Sequence, residues 1–235
     1  MSLRTWAAWG VHLYTAIGAP LGLVALVASG QGWFSLAFAC MAVATFIDAT
    51  DGQLARRVDV KTVLPQFDGA RLDDIVDYLN YVVVPIVLAY QASLLPSGWV
   101  GVAVASLPLI ASGYGFSQSD AKTSDDTANH FFTGFPSYWH IVVFYLYLFQ
   151  APPWVNVTVL IVLSVLVFVP IRYLYPSRNN VARTLTYVLG ATWALIMLVL
   201  LVQLPTPSSQ LTVASLYFPV YYVGLSLYLH FRPAA

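Results

Sequence analysis

The sequence predicts an all-α, polytopic membrane protein with eight transmembrane helices and both termini in the cytoplasm. Three observations predict it. The first is composition: 59% of the 235 residues are apolar, only 9% are charged, and the mean hydropathy is +0.74. A soluble domain carries about 25% charged residues, enough to coat its surface. The second is continuity, because the apolar runs approach the roughly 20 residues a helix needs to cross a bilayer. The third is that the charges collect in alternate gaps between those runs.

The runs follow in order. Residues 7–29 form the first, preceded by Arg4. An arginine before an apolar run also resembles a secretory leader. This run contains Gly18-Ala19-Pro20 and precedes seven more, so it is expected to remain as a span. Gly30-Gln31-Gly32 separates it from the second, 33–50, which ends among aspartates. The third, 74–95, begins among aspartates and stops at Pro96-Ser97-Gly98; the fourth is 98–116. The fifth, 137–152, is short, and Pro152-Pro153 divides it from the sixth, 154–175. The seventh, 181–203, and the eighth, 211–231, flank Pro205-Thr206-Pro207. Backbone groups in lipid must bond internally, and these runs are too long for barrel strands, so each is read as a helix. Trp6, Trp9, Trp33, Trp99 and Trp154 near run ends fit interface anchors. No internal repeat stands out, and residues 1–235 read as a single transmembrane domain.

Charge fixes the orientation. Lys and Arg fall at the N-terminus, after the second, fourth and sixth runs, and at the C-terminus. The gaps after runs one, three, five and seven contain no Lys, Arg, Asp or Glu. Loops rich in Lys and Arg stay cytoplasmic, which places both termini inside. Ten basic and ten acidic residues cancel, leaving no basic field to attract nucleic acid. The single cysteine, Cys40, excludes an internal disulfide and a cysteine metal site.

All ten acids are Asp, and four of them form two pairs. Asp48 and Asp51 stand three apart at the inner end of the second run; Asp73 and Asp77 stand four apart at the start of the third. Each spacing puts its pair on one helix face. Gly52 and Ala55 continue the Asp48 face, and small residues there allow a helix or a flat ligand to approach closely. Converging carboxylates repel unless a cation sits among them. Oxygen-only ligands favour hard divalent ions, and two such ions would suit a pyrophosphate substrate. Asp68, just before Gly69, and Asp74, about 100° around the helix from Asp73, read as solvated.

The pattern Asp48-x2-Asp51-Gly52-x2-Ala55-Arg56-x12-Gly69-x3-Asp73-x3-Asp77 resembles the signature of the CDP-alcohol phosphatidyltransferases. The twelve residues between Arg56 and Gly69 exceed the gap found in most of that family. That departure, the chain length and the eight runs resemble the bacterial branch that joins choline to CDP-diacylglycerol. Segments 132–139 and 170–178 resemble the same branch. The resemblance implies that Asp48, Asp51, Asp73 and Asp77 hold two Mg²⁺ or Mn²⁺ ions, with Asp77 also the base for the acceptor hydroxyl. It implies that Gly52, Ala55, Arg56 and Gly69 meet the nucleotide. It further implies a bacterial inner-membrane enzyme with a cytoplasmic site, CDP-diacylglycerol and choline as substrates, and a homodimer.

A quaternary ammonium cannot donate a hydrogen bond, so aromatic faces and a carboxylate must recognise it. The region after the fourth run supplies Tyr114, Phe116, Phe131, Phe132, Phe135, Tyr138 and Trp139, with Asp120, Asp125 and Asp126. Tyr138, Trp139 and Tyr114 are the expected choline contacts. Arg178 is the expected contact for the lipid phosphate, since Arg pairs with phosphate oxygens. The rival readings are the same transfer to serine, inositol phosphate or glycerol phosphate, and a membrane cation transporter. An anionic acceptor would call for extra Lys or Arg beside the aspartates. A transporter would call for acids near mid-membrane.

Overall fold

Every apolar run becomes helical in the computed structural model, which describes residues 2–118, 122–124, 130–175 and 181–231. The first run gives α1 (Leu3–Ala16) and α2 (Gly18–Gly30), which follow one another almost without interruption. The Ser2 side chain caps α1 by accepting a hydrogen bond from the Thr5 amide. The second run gives α3 (Phe34–Val58), which continues past the apolar residues to carry the first aspartate pair. A short α4 (Val60–Val63) follows.

The third run is helical from Gly69 to Gln91 but not uniform. It comprises α5 (Gly69–Asp77), a π-helical stretch (Tyr78–Val83) and α6 (Val84–Gln91). Pro85 accounts for the widening: it has no N–H for the carbonyl four residues back, and its ring crowds that carbonyl. Asp68 caps α5, its Oδ1 accepting from the Arg71 amide at 3.0 Å.

The remaining helices are α7 (Gly98–Ser117), α8 (Trp139–Phe149), α9 (Pro153–Leu166), α10 (Arg183–Val202), α11 (Ser209–Ser215) and α12 (Tyr217–Phe231). Among the described residues, five helical segments are long and apolar enough to cross a membrane: Leu3–Gly30, Phe34–Val58, Gly98–Ser117, Arg183–Val202 and Ser209–Phe231. The apolar α8 and α9 are shorter, at 11 and 14 residues. Arg71 and the aspartates of α5 make the first half of the third run polar.

The expectation of a purely helical chain is corrected at one place. β1 (Lys122–Ser124), β2 (His130–Thr133) and β3 (Arg172–Leu174) form an antiparallel sheet in the order β1-β2-β3. Phe132 pairs with Tyr173 across β2 and β3. The sixth run therefore leaves the helix at Leu166 rather than continuing to 175. Two side chains of α12 anchor β3: Ser226 Oγ accepts from the Leu174 amide at 3.0 Å, and the Tyr222 hydroxyl donates to the Leu174 carbonyl at 2.9 Å. Outside partners of this kind replace the backbone bonds that the end of a helix gives up.

The core lies where α2, α3, α6, α8 and α9 meet, around Val82, Val84, Leu88, Trp139, Val143 and Leu160. The buried amide of Asn156 donates to the Leu94 and Ala151 carbonyls at 2.8 and 3.1 Å, tying α9 to the turn after α6. Helix α10 lies at the rim: within it only Thr186 and Leu200 are buried, and Leu185, Val188, Leu195 and Leu198 face outward. An outward apolar face of this extent suits lipid and not water.

Candidate active site

Helices α3 and α5 bring the carboxylates together because α1 and α2 pack against both. Gly18 makes this approach possible. A Cβ there would overlap Val76 of α5 and crowd the Asn80 amide. That amide donates to the Gly18 carbonyl at 3.0 Å.

One oxygen each from Asp48, Asp73 and Asp77 lies within 4.8 Å of the other two. All three residues are half-buried. They line a cavity of about 10 Å³ with Thr15, Gly18, Asp51, Asn80 and Tyr81. A dense set of hard oxygen donors around so small a space fits a divalent cation such as Mg²⁺ or Mn²⁺.

Asp51 stands apart from the other three. It is buried, and the Thr15 hydroxyl donates to its Oδ2 at 2.7 Å. The Gly52 amide also donates to it, and Arg56 lies within electrostatic reach. Asp51 lines the same cavity but is outside the three-carboxylate group.

Tyr81 was not legible as a site residue. Its hydroxyl donates to Asp48 Oδ2 at 2.6 Å, and its ring stacks on His140 with centroids 4.2 Å apart. The faint signal for it is its place four residues after Asp77. Thr15 gave none, because its partner lies 36 residues away.

The nucleotide residues divide. Gly52, Ala55 and Arg56 lie on the last turns of α3, the first two half-buried and Arg56 exposed. Gly69 has a close neighbour within the protein: its missing side chain makes room for His12. A Cβ there would sit 2.5 Å from His12 Cε1 on α1. His12 is buried, with its ring 4.3 Å from that of Phe67.

The expected aromatic contacts also separate. Tyr138 hydrogen-bonds with Tyr222 and lies within electrostatic reach of Asp48 and Asp77. Trp139 does not line an open site: it is fully enclosed, and its indole N–H donates to Ser112 Oγ at 2.7 Å. Tyr114 is 64% exposed on α7 and packs on Phe168, which is itself exposed. Both placements follow from the helical position of each ring, which decides whether it meets the core, the rim or the cavity. Asp74, read as solvated, instead lines a separate cavity. Asp68 is exposed, as expected. Arg178, Asp120, Asp125 and Asp126 lie outside the described residues.

The helical fold and the aspartate spacing define a class. A family model for the CDP-alcohol phosphatidyltransferases matches residues 11–221, and the chain belongs to that family. Among its relatives, the phosphatidylcholine synthase of Legionella pneumophila is 42% identical over 97% of this chain and 90% of its own length. The phosphatidylcholine synthase of Legionella bozemanae is 38% identical over 91% of this chain and 97% of its own. That of Pseudomonas aeruginosa is 34% identical over 94% and 91%.

Proposed function

We propose that this chain transfers the phosphatidyl group of CDP-diacylglycerol to choline, giving phosphatidylcholine and CMP. One observation carries the reading. Asp48, Asp73 and Asp77, at the family's spacing, converge on a cavity of about 10 Å³. The similarity to phosphatidylcholine synthases over most of both chains supports choline as the acceptor.

Asp48, Asp73 and Asp77, with Asp51 beside them, would hold two Mg²⁺ or Mn²⁺ ions. Such ions, when bound, neutralise charge on the pyrophosphate and on the leaving CMP. Asp77 accepts the proton of the choline hydroxyl. The choline oxygen then bonds to the phosphorus that carries diacylglycerol, and the bond from that phosphorus to the CMP oxygen breaks. Thr15 keeps Asp51 turned inward, and Tyr81 fixes the rotamer of Asp48. Gly52 and Ala55 leave the α3 face low enough for the cytidine, and Arg56 faces the phosphates. Arg178 serves the lipid phosphate.

Residues 1–235 form one transmembrane domain of eight spans, with α5–α6, α8 and α9 supplying the three beyond the long apolar helices. Both termini and the aspartates face the cytoplasm of a bacterial inner membrane, and the chain works as a homodimer. The acids support this orientation, because they lie in the same gaps as the basic residues and at the adjoining run ends.

The test is CMP release by purified protein in detergent with CDP-diacylglycerol and Mn²⁺. Choline, serine, inositol phosphate and glycerol phosphate are offered separately. Release with choline, abolished by EDTA and by Asp77→Asn, is the expected result. Release with another alcohol alone would keep the reaction and replace the acceptor. No release from folded protein with any of them would sink the reading.

A further inference from the structure

A second cavity borders Asp74, the residue that follows Asp73 on α5. Its volume is about 180 Å³, and its lining includes Asp74, Phe116, Phe132, Phe135 and Ser137. Sites for drug-sized ligands run to roughly 300–1,000 Å³, so this one suits a small head group. We propose that it seats the trimethylammonium group of choline, with Phe116, Phe132 and Phe135 around the cation and the Asp74 carboxylate as its counter-charge. The inference deepens the choline-transfer reading and rests on it.

Three observations support the assignment. The first is chemical. A quaternary ammonium offers no hydrogen-bond donor, so aromatic faces and one carboxylate are the groups that can hold it. The cavity supplies both.

The second is that each ring is held by another aromatic residue. Phe116 meets Tyr78 edge-on at 5.9 Å between centroids. Phe132 stacks on Tyr175 at 4.5 Å and meets Tyr138 at 6.4 Å. Phe135 meets Trp139 edge-on at 5.1 Å. Rings fixed in this way lose little further freedom when a ligand arrives. Trp139, expected from the sequence to touch choline, supports a ring that does.

The third is distance. Asp74 and Asp77 are three residues apart on α5, which sets their Cβ atoms about 5–6 Å from one another. Choline separates its nitrogen from its hydroxyl by two carbons. A cation at Asp74 thus leaves its hydroxyl near Asp77, the proposed base. The chain between the cavities runs the same way: Phe135 and Ser137 line this cavity, and Tyr138, the next residue, lies within electrostatic reach of Asp48 and Asp77.

The test uses CMP release by the purified enzyme with varied choline and varied CDP-diacylglycerol, for wild type, Asp74→Asn and Phe132→Leu. Tetramethylammonium, a cation without a hydroxyl, is the competitor. The expected result is a choline KM raised more than about tenfold in both variants, with the CDP-diacylglycerol KM held within about twofold. Tetramethylammonium should compete with choline in wild type and lose its effect in Asp74→Asn. The two substitutions lie on different elements, so one folded variant suffices. An active wild type with an unchanged choline KM in a folded variant would overturn the cavity assignment and leave the transfer reading intact. A wild type that releases CMP only with another acceptor, or not at all, would overturn both.

Discussion

The hydroxyl of Tyr81 donates a 2.6 Å hydrogen bond to Oδ2 of Asp48, across 33 residues of sequence. Asp48 lines the cavity shared with Asp73 and Asp77. Groups that orient a metal ligand from behind typically contribute 10–100-fold in metal affinity or activity. Tyr81→Phe removes the hydroxyl and retains the ring that stacks on His140. The Mn²⁺ concentration for half-maximal CMP release should rise about 10–100-fold, with activity restored at high Mn²⁺. An unchanged metal requirement would reduce Tyr81 to a packing residue.

Thr15 and Asp51 form a second buried pair, joined by a 2.7 Å bond from hydroxyl to carboxylate. Thr15→Val keeps the shape and removes the donor. A buried acceptor that loses its partner costs about 1–3 kcal/mol. Thr15→Val should therefore melt at lower temperature in detergent than wild type, and Thr15→Ser, which retains the hydroxyl, should not. Equal melting of the two variants would show that the hydroxyl contributes nothing there.

The two pairs also mark what was legible in the sequence. Asp48 to Asp77 were readable because helical spacing is written locally, at intervals of three and four residues. The membrane class was readable from the length of the apolar runs. Thr15 and Tyr81 were not, since each acquires its role from a partner more than 30 residues away. The sheet was hidden because β1 and β3 are three residues long and β2 is four, too short to show an alternating pattern. Trp139 misled for a related reason. Its type fits a cation site, but its neighbour Ser112 turns the indole into the core.

The eight-span topology makes a prediction that labelling can check. With Cys40 replaced by Ala, a cysteine at Ser97 or Thr206 should react with an impermeant maleimide from outside the cell membrane. One at Gln66 should react only after the membrane is opened. All three positions are exposed. Labelling Ser97 and Gln66 from the same side would show that the Gly69–Gln91 helix does not cross.

Gly69 faces two explanations that separate cleanly. Its place in the signature assigns it to the nucleotide, whereas its closest neighbour is the imidazole of His12. A methyl group at Gly69 would lie 2.5 Å from His12 Cε1, which forces one ring or one helix to shift. Overpacking of this kind costs about 1–3 kcal/mol. Gly69→Ala should therefore lower the melting temperature, and adding His12→Ala should recover much of the loss by vacating the space. Activity should return with stability. If Gly69 instead meets the cytidine, Gly69→Ala would raise the KM for CDP-diacylglycerol without a change in melting, and His12→Ala would rescue nothing. The described contacts favour the first outcome, because the His12 ring already fills the side of α5 that Gly69 leaves open.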